Sequence, residues 1–389
     1  MKPNDAELVV MFFLFIFALL LGFGLYVLSS NSPSFSEIFA GRKTSLIYLF
    51  TGFVSATIIL VLALSSRPRK RTSKLEGLVS GYGCSDFRFR PMFPSDLLPS
   101  SFEGMWECCL LGQGGWGSAY LCRRGEVKVV LKVPKGFELL IEESDGDKPS
   151  GGTSKELMKE LMEEKELMEK LEKVKYEAEA ISKLDHPNII KLLGYSERAP
   201  LLIYEYADYG TLRWQLSKRW KPSQKDILLI GVELSDALRY IHSRGLVHGD
   251  IKPGNVFIKD GVIKLGDFSS IVMTLSSKSP SEIPATKGFR APEQVYDVLS
   301  ERAKKEGYEN RIDVYQLANL ILYMLIGESI DGEYAIDGKH VKEKLNKVRN
   351  KELRKILAEA LVLEPSKRPS SEELSKAFKT LYKIYEKTT

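Results

Sequence analysis

A glycine-rich run near the end of the first third of the chain has the spacing of a phosphate-binding loop. The pattern G-x-G-x-x-G is formed by Gly112, Gly114 and Gly117. Glycines at such positions allow a tight turn and let backbone N–H groups approach phosphate oxygens without a Cβ in the way. In a dinucleotide-binding fold the third glycine opens a helix. Here a strand pattern continues through Ser118–Leu121 and a second strand follows, so the sequence predicts a glycine loop between two strands.

Side chains suited to phosphate and metal chemistry follow this loop along the chain. A lysine carries a compact positive charge on a long stem, and carboxylate and amide oxygens are the ligands that hard cations such as Mg²⁺ prefer. Taken singly, each acidic residue is more often a helix cap, a turn former or solvated surface. The candidates are Lys132, Glu177, Asp250, Asn255 and Asp267, and their order along the chain favours a shared site.

In this order the motifs resemble those of the eukaryotic-type (Hanks-type) Ser/Thr protein kinases. The strand Val129–Lys132 reads V-V-L-K where the family has V-A-I-K. The run His248–Asn255 reads H-G-D-I-K-P-G-N, in register with the family's H-R-D-L-x-x-x-N. A D-F-S motif begins at Asp267, and an A-P-E motif ends at Glu293. The resemblance covers essentially all of Phe102–Lys387.

The resemblance implies a role for each motif residue. The phosphates of ATP would meet the cofactor-binding residues Gly112, Gly114, Gly117 and Lys132. Glu177 would pair with that lysine from a helix, whereas Glu179 would face solvent. Asp250 would accept the proton of the substrate hydroxyl or orient that hydroxyl, and Lys252 would steady the γ-phosphate. The metal ion, Mg²⁺ with Mn²⁺ as an alternative, would bind Asn255 and Asp267.

The resemblance also implies an adenine pocket and a set of supporting residues. The Glu205 carbonyl and the Ala207 amide would meet adenine at a hinge. Tyr204 would stand at the gatekeeper position and narrow the pocket behind the adenine. The supporting residues would be Glu293, its partner Arg368, and Asp313, a buried helix aspartate that accepts hydrogen bonds from the catalytic-loop backbone.

Two residues depart from the family pattern. Gly249 replaces the arginine that receives an activation-loop phosphate in many kinases, so we expect no switching through that ion pair. Ser269 replaces the glycine after Asp-Phe and adds a Cβ where backbone freedom is usual. Neither change removes a phosphate or metal ligand.

The order of strands and helices agrees with the fold that the resemblance implies. We expect an α+β, two-lobed protein kinase-like fold with a small β-rich N-lobe and a larger helical C-lobe, preceded by two transmembrane helices. The kinase domain would span residues 102–387, with the N-lobe at about 102–206 and the C-lobe at about 207–387. Period-two alternation predicts three strands, at Cys109–Leu111, Ala119–Arg123 and Val127–Val133. Period-3.6 patterns predict two helices, at Asp226–Ser243 and Arg311–Ile326.

A helical insert at about 153–175 makes the N-lobe longer than the kinase pattern requires. Apolar residues at alternating steps of four and three form a seam, Leu167, Leu171, Val174, Ala178 and Ile181. The seam predicts one extended helix that runs into the Glu177 turn. Two interpretations stay open: an ordinary charged surface helix, or a handle for a partner or for self-association.

The N-terminal part of the chain has the pattern of a membrane anchor. Two uncharged stretches, Leu8–Leu28 and Leu46–Leu64, are each long enough to cross a bilayer. A basic cluster from Arg67 to Lys74 follows the second stretch and predicts that the rest of the chain is cytoplasmic. We therefore expect two spans with a short external loop in residues 1–66 and a basic juxtamembrane linker at 67–101. The alternative for residues 7–29 is a cleaved signal peptide.

Composition excludes several other classes of protein. The chain has 389 residues and a formal net charge of +5, from 56 Lys plus Arg against 51 Asp plus Glu, so we expect no nucleic-acid partner. The four histidines lack metal-ligand spacing, and His248 is expected to be structural. Without C-x-x-C spacing, reduced thiols are expected at Cys84, Cys108, Cys109 and Cys122.

Together these patterns predict a membrane-anchored Ser/Thr protein kinase that uses ATP and Mg²⁺, acts on protein hydroxyls and has the lipid bilayer as a partner. One alternative is a pseudokinase, a membrane-tethered kinase fold that serves as a binding scaffold. A small-molecule kinase of the aminoglycoside-phosphotransferase type is a second alternative, because H-G-D with P-G-N resembles that family. Such enzymes lack A-P-E and its arginine partner, so the sequence favours a protein substrate.

Overall fold

A computed structural model describes residues 74–84, 102, 106–115, 117–137, 164–196, 199–273 and 278–388. Both predicted membrane spans, and the helical insert before residue 164, lie outside these residues. Among the described residues, no helix combines the length and the apolar composition needed to cross a membrane.

An antiparallel sheet of five strands forms the N-lobe. In sequence order the strands are β1 (Glu107–Gln113), β2 (Gly117–Arg124), β3 (Val127–Pro134), β4 (Leu192–Tyr195) and β5 (Leu202–Glu205). The spatial order is β1-β2-β3-β5-β4. Alternate residues of β2 and β3 bury one face of the sheet, with Tyr120, Val129 and Leu131 in its core. The three strands predicted from alternation are therefore confirmed.

One long helix, α1 (Glu164–Ser182), follows β3 in the N-lobe. The seam residues Val174, Ala178 and Ile181 are buried in the main hydrophobic core, as their spacing predicts. Met168 and Tyr176 are exposed. The prediction that one helix continues through Glu177 is confirmed from residue 164 onward. Helix α1 places Glu177 on the inner side of the lobe.

The C-lobe is mainly helical. Its helices are α2 (Leu212–Ser217), α3 (Gln224–His242), α4 (Asp297–Glu306), α5 (Arg311–Ile326), α6 (Gly338–Asn346), α7 (Lys351–Ala360) and α8 (Ser371–Thr388). Two short antiparallel pairs, β7 (Val256–Lys259) with β8 (Val262–Leu265) and β6 (Leu246–Val247) with β9 (Val272–Met273), lie beside them. The predicted helices correspond to α3 and α5.

Helix α5 forms the centre of the C-lobe. Every residue from Ile312 to Leu322 is buried, including the polar Asp313 and Gln316. A helix that is buried on all sides needs hydrogen-bond partners for its polar side chains. Those two residues find their partners in the loop that precedes β7, so the core of the lobe and the candidate site share the same contacts.

Residues 74–84, here called the strap, pack against the C-lobe although the sequence suggests only a linker. The Leu75 side chain is buried, and its amide donates to the Gly261 carbonyl at 3.1 Å. The side chain of Gln215 in α2 accepts from the Val79 amide at 2.9 Å and donates to the Val79 carbonyl at 2.8 Å. Hydrogen bonds to the C-lobe therefore hold the strap in place, which its Ser- and Gly-rich composition does not reveal.

The end of the strap lies beside the connection between the lobes. Tyr206, the residue after β5, donates its hydroxyl to the Tyr82 carbonyl. The Tyr82 ring packs edge-to-face on Trp214 of α2, with ring centroids 5.4 Å apart. At Gly210 an added Cβ would lie 2.4 Å from the Tyr82 ring, so this turn requires glycine. The strap thus contacts the C-lobe and the interlobe connection.

The prediction of four reduced thiols is wrong in this structure. Cys84 at the end of the strap is disulfide-bonded to Cys109 of β1, and Cys108 is bonded to Cys122. The β1–β2 register places Cys108 opposite Cys122, with 4.0 Å between their Cα atoms. The pairing of β1 with β2 brings these two cysteines together, and cysteines paired across strands do not show C-x-x-C spacing in the sequence. The strap is consequently joined to both lobes.

A buried ion pair joins the A-P-E motif to the loop before α8. The A-P-E motif ends the segment that follows Asp267, here called the activation segment. The Arg368 guanidinium donates to both Glu293 carboxylate oxygens, at 2.6 and 2.8 Å, and both side chains are fully buried. The pair predicted from A-P-E is therefore confirmed. Breaking one partner of such a pair leaves an uncompensated buried charge.

We predict that Glu293→Gln lowers the free energy of unfolding by about 3–5 kcal/mol, because the Arg368 charge stays buried without its carboxylate. Glu364→Gln is the matched control, since Glu364 pairs with Arg302 at the surface and its loss is expected to cost less than about 1 kcal/mol. Urea unfolding of the full chain, followed by tryptophan fluorescence, measures both. Equal effects of the two substitutions would contradict the prediction.

Candidate active site

Three charged side chains from separate elements meet between the lobes. The Lys132 ammonium, on β3, lies 3.2 Å from Glu177 Oε1 of α1 and 2.7 Å from Asp267 Oδ1, two residues after β8. Burial alone would lower the pKa of Lys132, but the two carboxylates outweigh burial and raise it. Burial would likewise raise the pKa of Asp267, and the Lys132 ammonium holds it below its ordinary value. The Lys132 ammonium and the Asp267 carboxylate are therefore both charged at neutral pH.

The structure distinguishes Glu177 from its neighbour Glu179, as predicted. Glu177 is buried and reaches Lys132, whereas Glu179 is exposed and lies 4.0 Å from Lys175 on the outer surface. Two positions along a helix turn a side chain by about 200°, which explains the difference.

The glycine loop lies above the Lys132 strand. Gly112 lies one residue before the end of β1 and Gly117 begins β2, and the Gly114 amide donates to the Gly117 carbonyl at 2.8 Å to close the turn. A Cβ on Gly117 would lie 1.9 Å from the Val133 carbonyl oxygen, so only glycine fits there. Around Gly112 the space for a Cβ is open. Ala119 of β2 pairs with Gly112 on one side and with Lys132 on the other, so β2 connects the loop to the strand that carries the lysine.

Two side chains of the catalytic-loop motif contact the Asp250 carboxylate. The Lys252 ammonium lies 2.6 Å from Asp250 Oδ2, and Asn255 Nδ2 donates to the same oxygen at 3.2 Å and to the Asp250 carbonyl at 2.8 Å. The Gly266 amide donates to the Asn255 carbonyl at 2.9 Å. This bond joins the loop to the residue immediately before Asp267, so the two groups of charged residues form one site.

Helix α5 fixes the backbone of the catalytic loop. Asp313 accepts from the His248 amide at 2.9 Å and from the Gly249 amide at 2.8 Å, which confirms its predicted role. Gln316 accepts from the Ile251 amide at 2.8 Å and donates to the Gly249 carbonyl at 2.8 Å. Sequence reasoning missed Gln316, although it lies one helical turn after Asp313 on the same face.

His248 has the structural role that was predicted. Its ring is fully buried, lies 5.0 Å from the Phe268 ring and is 3.1 Å from the Gly266 carbonyl through Nε2. The Asp250 amide lies 3.3 Å from His248 Nδ1. The ring therefore helps to hold Asp250 and the residues before Asp267 in place.

Two oxygens of the predicted metal ligands are uncommitted among the described residues. Asn255 uses its NH₂ group for Asp250, which leaves Oδ1 without a hydrogen-bond partner. Asp267 uses Oδ1 for Lys132 and for the Ser269 hydroxyl, at 3.0 Å, which leaves Oδ2 free. Asp267 also has a positive φ of 60°. Carboxylate and amide oxygens of this kind fit a small divalent cation.

The connection after β5 offers a hydrogen-bond donor where adenine is predicted. Ala207 is buried, and its N–H has no partner among the described residues, while its carbonyl accepts from the Gly210 amide at 3.0 Å. The Glu205 side chain faces away from that position and pairs with Lys259 at 2.6 Å and Lys264 at 2.8 Å. Only main-chain groups of Glu205 and Ala207 remain for a base, as the resemblance implies.

The residue at the gatekeeper position makes a contact that sequence reasoning missed. The buried Tyr204 hydroxyl donates to Glu177 Oε1 at 2.8 Å, the same oxygen that accepts from Lys132. Burial and the Glu177 carboxylate raise the pKa of Tyr204 well above its ordinary value, so the hydroxyl stays protonated. Tyr204 thus holds Glu177 in the orientation that reaches Lys132. No local pattern signals this bond, because it joins β5 to α1.

Thr286 of the activation segment also contacts the catalytic carboxylate and was given no role from the sequence. Its amide donates to Asp250 Oδ1 at 3.0 Å, and its hydroxyl lies 2.6 Å from the Lys252 ammonium. Gly249 packs closely against the same segment. Gly249 has a positive φ of 80°, and a Cβ on it would lie 2.5 Å from the Ile283 side chain. Apolar packing fills the space of the family's phosphate receptor.

We predict that Tyr204→Phe lowers the free energy of unfolding by about 1.5–3 kcal/mol, because a buried carboxylate loses one hydrogen bond. Backbone amides of α1 should also exchange hydrogen faster. Tyr323→Phe is the matched control, since the Tyr323 ring packs on Phe289 and its hydroxyl has no partner among the described residues. Urea unfolding and hydrogen exchange of the full chain measure the effects. Identical exchange of α1 in the two variants would contradict the role of the hydroxyl.

The comparisons with known proteins agree with this geometry. The family model for the protein kinase domain matches residues 152–378, which is more than half of the chain. The matched region runs from before α1 to within α8, so the glycine loop and Lys132 precede it. Their assignment depends on the motifs and on the contacts of Lys132 described above.

Several curated proteins are similar to part of this chain. An Aurora kinase of Dictyostelium discoideum is 31% identical over 225 residues, 57% of this chain and 50% of that protein. The Aurora/IPL1-related protein kinase 2 of Caenorhabditis elegans is 30% identical over 56% of this chain and 62% of its own. A probable serine/threonine-protein kinase PknB of Bifidobacterium longum is 30% identical over 44% of this chain and 27% of its own. The alignments thus span between 27% and 62% of the length of these relatives. The chain belongs to the protein kinase family.

Proposed function

We propose that this chain is a Ser/Thr protein kinase that transfers the γ-phosphoryl group of ATP to protein hydroxyls at the cytoplasmic face of a membrane. The observation that carries the proposal is the joining of two groups of residues through the Gly266–Asn255 bond. One group is Lys132 with Glu177 and Asp267, and the other is Asp250 with Lys252 and Asn255. Phosphoryl transfer depends chiefly on such positioning and on charge neutralisation.

Each group of residues performs one part of the transfer. Lys132 would hold the α- and β-phosphates with a charge that Glu177 and Tyr204 orient, and the backbone amides of the glycine loop would cover the phosphates. Asp250 would align the substrate hydroxyl and accept its proton. Lys252 lies beside Asp250 and would neutralise charge that moves to the γ-phosphoryl oxygens. No covalent enzyme intermediate is required.

The free oxygens of Asn255 and Asp267 would hold Mg²⁺, or Mn²⁺ in its place. When bound, the ion supplies positive charge that neutralises the phosphate oxygens of ATP. The chain's own part is to keep both oxygens available. Asn255 does so by directing its NH₂ group to Asp250, and Asp267 does so by presenting one oxygen to Lys132.

The contacts of Lys252 favour serine and threonine as acceptors. A lysine two residues after the catalytic aspartate is typical of the Ser/Thr-specific pattern, and here its ammonium lies between Asp250 Oδ2 and the Thr286 hydroxyl, 2.6 Å from each. Thr286 thereby ties the activation segment to the catalytic carboxylate. The buried Glu293–Arg368 pair supports a protein substrate over a small molecule, because small-molecule kinases of the alternative family lack that pair.

We predict that Asp250→Asn lowers kcat by at least about 10²-fold, because the acceptor hydroxyl loses its proton acceptor. ATP binding should persist, since Lys132 and the metal ligands remain. Incorporation of labelled γ-phosphate into a mixture of proteins, with nucleotide binding measured alongside, tests the variant.

Phosphate transfer by the wild type and by an Asp267 variant separates the kinase from the pseudokinase alternative. Glu179→Gln serves as the control, because this exposed carboxylate lies on the same helix as Glu177 and should leave transfer unchanged. Asp267→Ala should abolish transfer. Wild-type protein that binds ATP but transfers no phosphate to any protein or to itself would support the pseudokinase alternative and contradict the proposal.

The membrane part of the proposal is supported by the sequence of residues 1–74. Two uncharged stretches and the basic cluster after them predict two spans with the kinase domain in the cytoplasm, where ATP is available. Disulfides are rare in the cytosol. The Cys108 and Cys122 side chains are 1% and 0% exposed, so burial shields this pair from cytosolic thiols.

We predict that the full chain stays with the membrane fraction during alkaline carbonate extraction and dissolves only in detergent. A version in which Leu14 and Leu60 are both replaced by arginine is the control, because a charge inside each apolar stretch opposes insertion. Release of the unaltered chain by carbonate would contradict the two-span arrangement.

The helical insert at 153–175 supports a second, smaller proposal. Met168 and Tyr176 of α1 are exposed apolar residues on the helix that carries Glu177. A partner, or a second copy of the chain, that covers this face would set the position of Glu177 and so the activity.

A further inference from the structure

Beside the catalytic loop lies a cation, Arg213, that has no carboxylate partner among the residues that the structure describes. Arg213 of α2 is exposed, and its amide donates to the Pro253 carbonyl of the catalytic loop at 2.8 Å. Its Cδ lies 4.0 Å from the position that a Cβ on Gly254 would take. Gly254 precedes Asn255 and is four residues from Asp250. The arginine side chain therefore extends over bare backbone next to the catalytic carboxylate.

A second cation lies on the activation segment. Lys287 is exposed and directly follows Thr286, whose amide and hydroxyl both contact Asp250. A peptide that places a hydroxyl at Asp250 must pass close to the backbone of Thr286 and Lys287. The two cations thus belong to two different elements: α2 is bonded to the catalytic loop at Pro253, and the segment before Lys287 contacts Asp250 through Thr286.

Carboxylates near these elements are already paired. Asp331 accepts from Arg290 at 2.7 and 3.1 Å, and Glu333 lies 3.3 Å from the same guanidinium. Within the described residues, neither Arg213 nor Lys287 has a carboxylate partner. The positive charge beside the catalytic loop is therefore available to a ligand.

The surroundings of Arg213 add to this charge. The stretch from Tyr209 to Lys225 contains five cations and no acidic residue. All five are exposed, and they are Arg213, Lys218, Arg219, Lys221 and Lys225. A cluster of one sign beside a cleft raises the local concentration of oppositely charged ligands and selects among them.

We propose that this kinase selects Ser and Thr residues that are flanked by Asp or Glu, with Arg213 and Lys287 as the specificity-determining residues. The inference rests on the proposed kinase function and names the substrate class of the same site. Arg213 suits the task because a guanidinium binds a carboxylate through two parallel hydrogen bonds. Lys287 acts as a point charge. Basic flanking residues would meet like charges and be rejected.

Three peptides that share one serine and differ only in their flanks, Glu, Ala or Lys, test the proposal with the full chain, ATP and Mg²⁺. We expect kcat/KM for the Glu-flanked peptide to exceed that for the Ala-flanked peptide about 5- to 10-fold, with the Lys-flanked peptide lowest. Raising the salt concentration should reduce the difference, because the cations are exposed.

A charge-reversal pair identifies the residues responsible. In the double variant Arg213→Glu and Lys287→Glu the order of preference should invert, so that the Lys-flanked peptide becomes the best substrate. Lys355→Glu is the matched control, because this cation is exposed on α7 and has no partner among the described residues. It should keep the wild-type order of preference.

The outcomes separate this inference from the function on which it rests. Transfer by wild type to all three peptides at equal kcat/KM, or an unchanged order in the double variant, would overturn the acidic-substrate inference and leave the kinase function intact. Failure of wild type to phosphorylate any peptide or protein would overturn both.

Discussion

The buried ammonium of Lys132 is the interaction on which the rest of the structure depends. It needs negative partners, because an unpaired charge in the interior costs several kcal/mol. Its partners come from α1 and from the segment after β8, so the N-lobe sheet, the helix and the C-lobe must all be in place together. Tyr204 adds a fourth element by bonding to Glu177. The same contacts that satisfy a buried charge therefore bring the phosphate-binding and metal-binding groups into one site.

The C-lobe solves a related problem for its catalytic loop. A loop buried against a helix must satisfy its backbone amides, and Asp313 and Gln316 do so from α5. Gly249 makes this possible with a backbone conformation that favours glycine, and Ile283 then packs where a side chain would otherwise extend. The activation segment is thus anchored by apolar packing and by Thr286.

Short motifs carry most of what could be predicted from the sequence. The order of the motifs identifies the fold, and the fold brings together Lys132, Glu177, Asp250 and Asn255. The Tyr204–Glu177 bond, the Thr286 contacts and the two disulfides could not be predicted in this way. Each joins residues that become neighbours only through strand register or the path of a loop, and no local pattern encodes such contacts. The strap was missed for the same reason, since a few specific bonds hold a segment whose composition suggests a linker.

The central claim is that these side chains form a single nucleotide site, and a crystal structure with a non-hydrolysable ATP analogue and Mg²⁺ tests it most directly. The account predicts that Lys132 contacts the α- and β-phosphates, that the metal ion binds Asn255 and Asp267, and that the adenine accepts a hydrogen bond from the Ala207 amide. Lys132, Asn255 and Asp267 pointing into separate regions, or a cleft closed to the nucleotide, would contradict it.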